Sequence, residues 1–281
     1  MRLFNCRKIK DRATGIKSAA RAVTGGRLVV IPTDTVYGIG CDAFNHAAVK
    51  ALLAAKGRGR DMAPPVLIGS KRALDGIASD VPDSAKELIE AFWPGPLTVV
   101  VPYSPTLTWD LGDTDGTVAV RMPLHPLALE LLKETGPMAV SSANKHGQPP
   151  ADTATDAKAQ LGSDVSVYLE AGPSEDNLPS TIVDCVAHPP QVLREGALTL
   201  EQIRKIVPDT LDRDGYGPGE GPEDEEAEVE EADLEEQEVE ETDLEEHEHS
   251  HEHVQEVAAA AEAEDAAEEP EAGQKAAEES R

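Results

Sequence analysis

The chain has 281 residues, 40% hydrophobic and 28% charged, with a formal net charge of -29. From Glu220 to the end, 28 acidic residues stand against 2 basic ones, so nearly all of that charge belongs to a tail and residues 1–219 carry only -3. That balance argues against capture of a nucleic-acid backbone by the first part, and the absence of any run of 18 apolar residues excludes a transmembrane helix.

The N-terminus, MRLFNCRKIKDR, lacks the apolar segment of a signal peptide. Its polar run leads into helical spacing over 13–24, closed by Gly25 and Gly26 and followed by an apolar run, 28–31, that reads as a buried strand. A second helix is expected from an Asn45 cap through Ala55, stopped at Gly57. Further strands are expected over 65–68, 97–101, 117–120, 138–140, 165–169, 181–183 and 191–193, and further helices over 84–92, 126–134, 155–161 and 199–206. The alternation predicts an α/β fold with helices on a sheet. The short, Pro-containing link between the last two strands predicts an antiparallel pair, hence a mixed sheet.

The folded domain is expected over 1–210 and an acidic, low-complexity, disordered tail over 211–281, where apolar periodicity gives way to Gly, Pro, Glu and Ala. The tail contains a near repeat, EVEEADLEEQ then EVEETDLEEH, and four alternating histidines from His247 to His253 that read as a solvated run. Its charge would discourage non-specific RNA contact. Cys6, Cys41 and Cys185 are widely spaced and form no CxxC pair, which excludes a disulfide framework and fits a reduced cytoplasm.

The chemistry gathers where apolar runs end. PTDTVYGIG (32–40) caps the first strand with hydroxyls, a carboxylate and glycines. Gly38, Gly40 and Ala43 match G-x-G-x-x-A, but Pro32 interrupts the strand and the next helix starts late, so a dinucleotide fingerprint is rejected, and no P-loop motif occurs. Lys56, Arg58 and Arg60 alternate after the second helix, where an extended backbone would put all three on one side to neutralise a polyphosphate; the plainer reading is a solvated basic loop. Arg121, at the end of a strand, can clamp a carboxylate bidentately or form a structural ion pair with Asp113 or Asp115. Ser141, Ser142 and Asn144 end another apolar run with small hydrogen-bonding groups. No Ser/His/Asp or Cys/His constellation suggests a covalent intermediate.

PTDTVYGIG, the KGR triplet at 56–58, WPGPLT (93–98), VAVRMPLHP (118–126), SSAN (141–144), STIVD (180–184) and LREG (193–196) together resemble the threonylcarbamoyl-AMP synthase family of the YrdC, Sua5 and TsaC type, in order from about 14 to 207. The resemblance implies a twisted mixed sheet with a concave ligand-holding face. It implies a nucleotidyltransferase that joins L-threonine, bicarbonate and ATP, with Mg2+, into threonylcarbamoyl-AMP and pyrophosphate for tRNA t6A37 modification. Its product would pass to a downstream threonylcarbamoyl-transfer machinery, with at most weak direct tRNA contact. For threonine the matching positions are Thr35, Arg121, the main chain at Val140, and Ser180. For ATP they are Lys56, Arg58, Thr117, Ser142, Asn144 and Arg194, with Lys56 and Arg58 in the catalytic role; no metal-ligating residue is assigned.

The chain departs from the family pattern at Gly59 and Ala63, where prolines are common, at Leu67, where some members carry a threonine-contacting histidine, at Ser141, and at Pro150 in place of an ATP-contacting serine. The extra C-terminal domain of longer members is replaced by the acidic tail. Two alternatives share the fold. The near-neutral charge opposes a non-catalytic RNA-binding module, and the cysteine spacing offers no zinc finger of the kind that accompanies carbamoyl-transfer domains.

Overall fold

The computed structural model describes residues 1–174 and 177–221, all within the unit Met1–Ala227. The repeat, the histidine run and most of the acidic tail lie outside the described residues. In chain order the elements are β1 (Arg2–Asn5), α1 (Ile9–Thr24), β2 (Leu28–Ile31), β3 (Gly38–Asp42), α2 (His46–Lys56), β4 (Val66–Leu67), α3 (Asp83–Phe92) and β5 (Leu97–Pro102). There follow β6 (Thr117–Arg121), α4 (Pro126–Thr135), β7 (Met138–Ser142), α5 (Ala154–Leu161), β8 (Val165–Glu170), β9 (Thr181–Asp184), β10 (Gln191–Arg194) and α6 (Leu200–Arg204).

The strands form one mixed sheet in the order β1-β8-β2-β3-β7-β4-β6-β5-β9-β10, with β9 and β10 antiparallel as expected. The short elements hold because their ends are chemically specified. Asn45 caps α2 by accepting from Ala48 N–H, and Gly57 closes it in the left-handed region at φ 70°. Thr153 with Asp156, and Thr199 with Gln202, form capping boxes on α5 and α6.

Two strands escape the periodicity argument. β1 is a short edge strand beside β8, and β3 is the GIGCD of the motif, whose glycines mask its strand character. A Cβ on Gly38 would stand 2.5 Å from Val140 Cγ1, and one on Gly40 2.8 Å from Val140 Cγ2. The glycines thus let β3 lie flat against a side chain of β7 rather than cradle a dinucleotide. The fold also continues beyond residue 210, since Leu211 bridges to Gln191 and Arg204 Nη2 donates to Tyr216 O at 2.9 Å.

Alternation along the strands sends side chains into two cores. Leu28 and Val30 join a large cluster with Val49, Leu52, Leu88, Ala157 and Ile203, so α2, α3, α5 and α6 cover that face. Val29 and Ile31 join a smaller cluster with Ile16, Val23, Leu127 and Leu131, so α1 and α4 cover the other. On β5, β6 and β9 the residues Val99, Val120 and Val183 feed the large core, whereas Thr98, Arg121 and Ile182 point the opposite way and belong to neither cluster. Part of the second face is therefore left open, and the polar residues project into that hollow.

Candidate active site

The hollow is a cavity of ≈ 380 Å³ whose walls include Thr35, Arg58, Arg121, Val140, Ser142, Ser180 and Arg194, so seven of the ten expected site residues meet there. Leu67 and Pro150, two of the family departures, also form its wall, as do Thr98 and Gly38. The ligand space lies across an uncovered part of the sheet face, with Arg121, Ser142 and Arg194 at the ends of β6, β7 and β10 and Ser180 just before β9.

Arg121 is almost completely buried. Its Nε donates to Gly95 O at 3.0 Å, Nη1 to Thr35 Oγ1 at 2.8 Å and Nη2 to Asp34 Oδ1 at 2.6 Å. The structural ion pair is thus with Asp34 rather than Asp113 or Asp115, which the sequence offered because they are near in number. Burial lowers the Arg121 pKa, and the Asp34 carboxylate opposes that shift.

The hydroxyl network fixes what Thr35 can offer. Thr33 Oγ1 donates to Val36 O at 2.7 Å, so the 3.0 Å contact between Thr33 and Thr35 hydroxyls must be donated by Thr35. With its proton spent there and Arg121 donating to it, Thr35 keeps only a lone pair for a ligand. Ser180 shares a 2.8 Å hydrogen bond with Thr98, and Arg194 holds it from the other side, donating to Ser180 O at 2.7 Å and to Ser180 Oγ at 3.1 Å. The N–H of Val140 is donated to Pro65 O at 2.9 Å, so this residue meets the cavity through its remaining atoms.

The three alternating cations separate. Gly57 reverses the chain after α2, so Arg58 turns inward, its Nη1 donating to Ser141 Oγ at 3.0 Å while its buried Nε has no partner. Arg60 turns outward into a bidentate pair with Asp110 at 2.8 and 2.9 Å and a contact to Asp113 at 3.2 Å. An extended backbone was the wrong premise, because a left-handed glycine intervenes.

Lys56 is buried behind the wall and does not line it. Its Nζ donates to Ser142 O, to Ser142 Oγ at 3.1 Å and to Asn144 Oδ1 at 3.0 Å, which uses all three of its N–H groups. Burial, helped by the charge of Arg58, pushes the Lys56 pKa down to about 7. Thr117 is not brought to the cavity. It opens β6 at the end away from Arg121, and its hydroxyl donates to Thr114 O at 2.8 Å.

Electrostatically the cavity gathers three cations, Arg121 buried, Arg58 half-buried and Arg194 exposed. Burial lowers the pKa of Arg58 and of Arg194, and Arg194 is lowered further by Arg121 and Arg58. Among the described residues, the one carboxylate ion-paired with these cations is Asp34. Unneutralised guanidinium groups, one with an unpartnered buried N–H, are a site for anions. Among the described residues no group of three or more His, Cys, Asp or Glu side chains could hold a metal ion.

Sequence and structure comparisons give the geometry a context. A Mycobacterium tuberculosis protein, provisionally named threonylcarbamoyl-AMP synthase, is 56% identical over 204 residues, covering 73% of this chain and 94% of its own length. The threonylcarbamoyl-AMP synthase of Pyrococcus abyssi is 37% identical over 193 residues, and the match spans 68% of this chain but 57% of that longer protein. The crystal structure of P. abyssi Sua5 complexed with L-threonine superimposes with a TM-score of 0.69 at 36% identity, over 74% of this chain and 61% of that one. Escherichia coli YciO shares the fold, with a TM-score of 0.62 at 22% identity over 68% of this chain and 93% of that one. Residues 21–196 match the family described as Telomere recombination, the Sua5/YciO/YrdC domain, and the chain belongs to that family.

Proposed function

We propose that this chain is an L-threonylcarbamoyladenylate synthase, a nucleotidyltransferase that joins L-threonine, bicarbonate and ATP with release of pyrophosphate for tRNA t6A37 modification. The observation that carries this is the convergence of Arg58, Arg121 and Arg194 on one cavity in which, among the described residues, only Arg121 has a carboxylate partner. The names of the relatives, and the threonine bound to the Pyrococcus protein, support the same reading.

Arg121 holds the α-carboxylate of threonine, with Val140 on the adjoining wall. Thr35, limited to accepting, pairs with an N–H or O–H of the substrate, and Ser180 faces the side-chain hydroxyl or the nascent carbamate. Arg58 and Arg194 take the polyphosphate. Lys56 supports them from behind by fixing Ser142 and Asn144, and Thr117 serves the nucleotide only at a distance from this cavity. Mg2+ arrives as part of the nucleotide substrate, held by phosphate oxygens and water.

The neutral threonine amine adds to bicarbonate with loss of water, or to CO2 with loss of a proton to solvent, and the carbamate oxygen then bonds to the α-phosphorus as its bond to pyrophosphate breaks. Nucleophile and phosphate are both anionic, so charge neutralisation and alignment by the arginines dominate the rate. The reaction is cytoplasmic, and the adenylate passes to a separate tRNA-modifying partner. Among the described residues no helix is long and apolar enough to cross a membrane.

A pyrophosphate-release assay with threonine, serine and valine in parallel tests the proposal. Release should require bicarbonate and favour threonine, with valine rejected most strongly because a site built for a hydroxyl is left unpaired by its absence. Bicarbonate-independent release, or none, refutes the reading; a non-catalytic RNA binder would release no pyrophosphate.

A further inference from the structure

Under the reading above, on which this inference rests, one hollow must sort two anions of unequal charge. Arg58, Arg121 and Arg194 all line it, so three equivalent cations would let a polyphosphate settle over Arg121 as readily as over the other two. They are not equivalent, because among the described residues Arg121 alone of the three is ion-paired, at 2.6 Å from Asp34.

The position of Asp34 is unusual. Its side chain is 13% exposed, and its second oxygen, Oδ2, is buried without a hydrogen-bond partner among the described residues. It does not line the first cavity. It lines a second one of ≈ 370 Å³, together with Pro32, Tyr37 and Leu124, and the Asp34–Arg121 pair forms part of the partition between the two. Asp34 is therefore a backing charge, which acts on a ligand in the first cavity only through Arg121 and its own field.

Three of the five N–H groups of Arg121 are committed to Gly95 O, Thr35 Oγ1 and Asp34 Oδ1, which leaves two, enough for one carboxylate. We propose that Asp34 is a positioning residue that sets the register of the two anionic substrates. It offsets the charge of Arg121, so that this end holds a single carboxylate by directional hydrogen bonds, and it repels the polyphosphate toward Arg58 and Arg194. This is discrimination by a built-in repulsive element.

The test is calorimetric titration of inorganic tripolyphosphate into the full chain and into Asp34→Asn, Arg121→Gln and the double variant, with circular dichroism as the check on folding. Tripolyphosphate affinity should weaken by about fivefold or more in Arg121→Gln, where the Asp34 charge is left uncompensated, tighten by about fivefold or more in Asp34→Asn, and return close to the starting value in the double variant. In turnover, Asp34→Asn should show ATP inhibition competitive with threonine, which a purely structural role for Asp34 would not produce. Should the single Arg121 variant fail to fold with Asp34 left unpaired, the neutral double variant still provides the comparison. An unchanged affinity in Asp34→Asn, or a gain that survives in the double variant, overturns the proposal. Tripolyphosphate results as expected without L-threonine binding would defeat the amino-acid reading and leave the charge sorting in place; failure of the full chain to bind tripolyphosphate would defeat both.

Discussion

The two faces of the sheet are covered unequally. On one, α2, α3, α5 and α6 close over Leu88, Val99, Val120 and Val183 in a continuous apolar core. On the other, α1 and α4 cover only part, and the same strands present Thr98, Arg121 and Ile182 to a cavity. Adjacent residues of one strand thus belong to different regimes. Val120 adds to stability through burial, while Arg121 opposes it through desolvation and is retained for what it binds.

Substitutions on the two faces should therefore separate function from stability. The largest effect is expected on the open face, where Arg58→Ala should lower kcat/KM for pyrophosphate release by about 100- to 1000-fold, the scale of losing one charged transition-state contact. Its thermal midpoint should not fall, since a half-buried cation whose buried Nε has no partner is removed. On the closed face, Leu88→Ala should cost about 2–5 kcal/mol in denaturant unfolding and leave nucleotide affinity unchanged at low temperature.

A proton measurement sharpens the contrast further. With the Lys56 pKa at about 7, the free protein holds that amine partly neutral near pH 7, and an anion alongside raises its pKa, so nucleotide binding should take up protons above pH 7 and stop doing so well below it. Calorimetry in buffers of different ionisation enthalpy reads this directly. Because the folded pKa is depressed, the unfolded chain binds more protons between about 7 and the ordinary lysine value, so the Lys56 contribution makes stability rise with pH through that window. The smallest effect is expected at Arg60, whose exposed pairs with Asp110 and Asp113 should make Arg60→Ala nearly silent both in turnover and in thermal midpoint.

Arg58 and Arg60 also mark how far the sequence could be read. Both are cations of one triplet pattern, and the residues alone do not say that a turn over 59–62 carries Arg60 to Asp110 and Asp113 while Arg58 stays against Ser141. Arg121 was legible because it ends an apolar run, whereas Ser180, just before β9, and Arg194, at the end of β10, came from the resemblance carried by STIVD and LREG. The partner of Arg121 was not, since Asp34 lies 87 positions away and only the folded sheet brings the two together. Lys56 was recognised as important but not as a fastening, because whether an ammonium faces solvent or a carbonyl depends on the neighbouring strand. β3 was missed for a simpler reason. Glycines carry no strand preference, and their purpose became visible only against Val140.

Those glycines bear on how this enzyme could change. At Gly38 the cavity floor is main chain pressed against a valine, with a hydrogen where any other residue would put a carbon 2.5 Å from Val140 Cγ1. Such a floor has no rotamers to adjust, so it can be neither raised nor lowered by small steps. New substrate preferences would have to arise by exchanging side chains elsewhere in the wall, Leu67, Thr98 and Pro150 among them, while the base stays as it is.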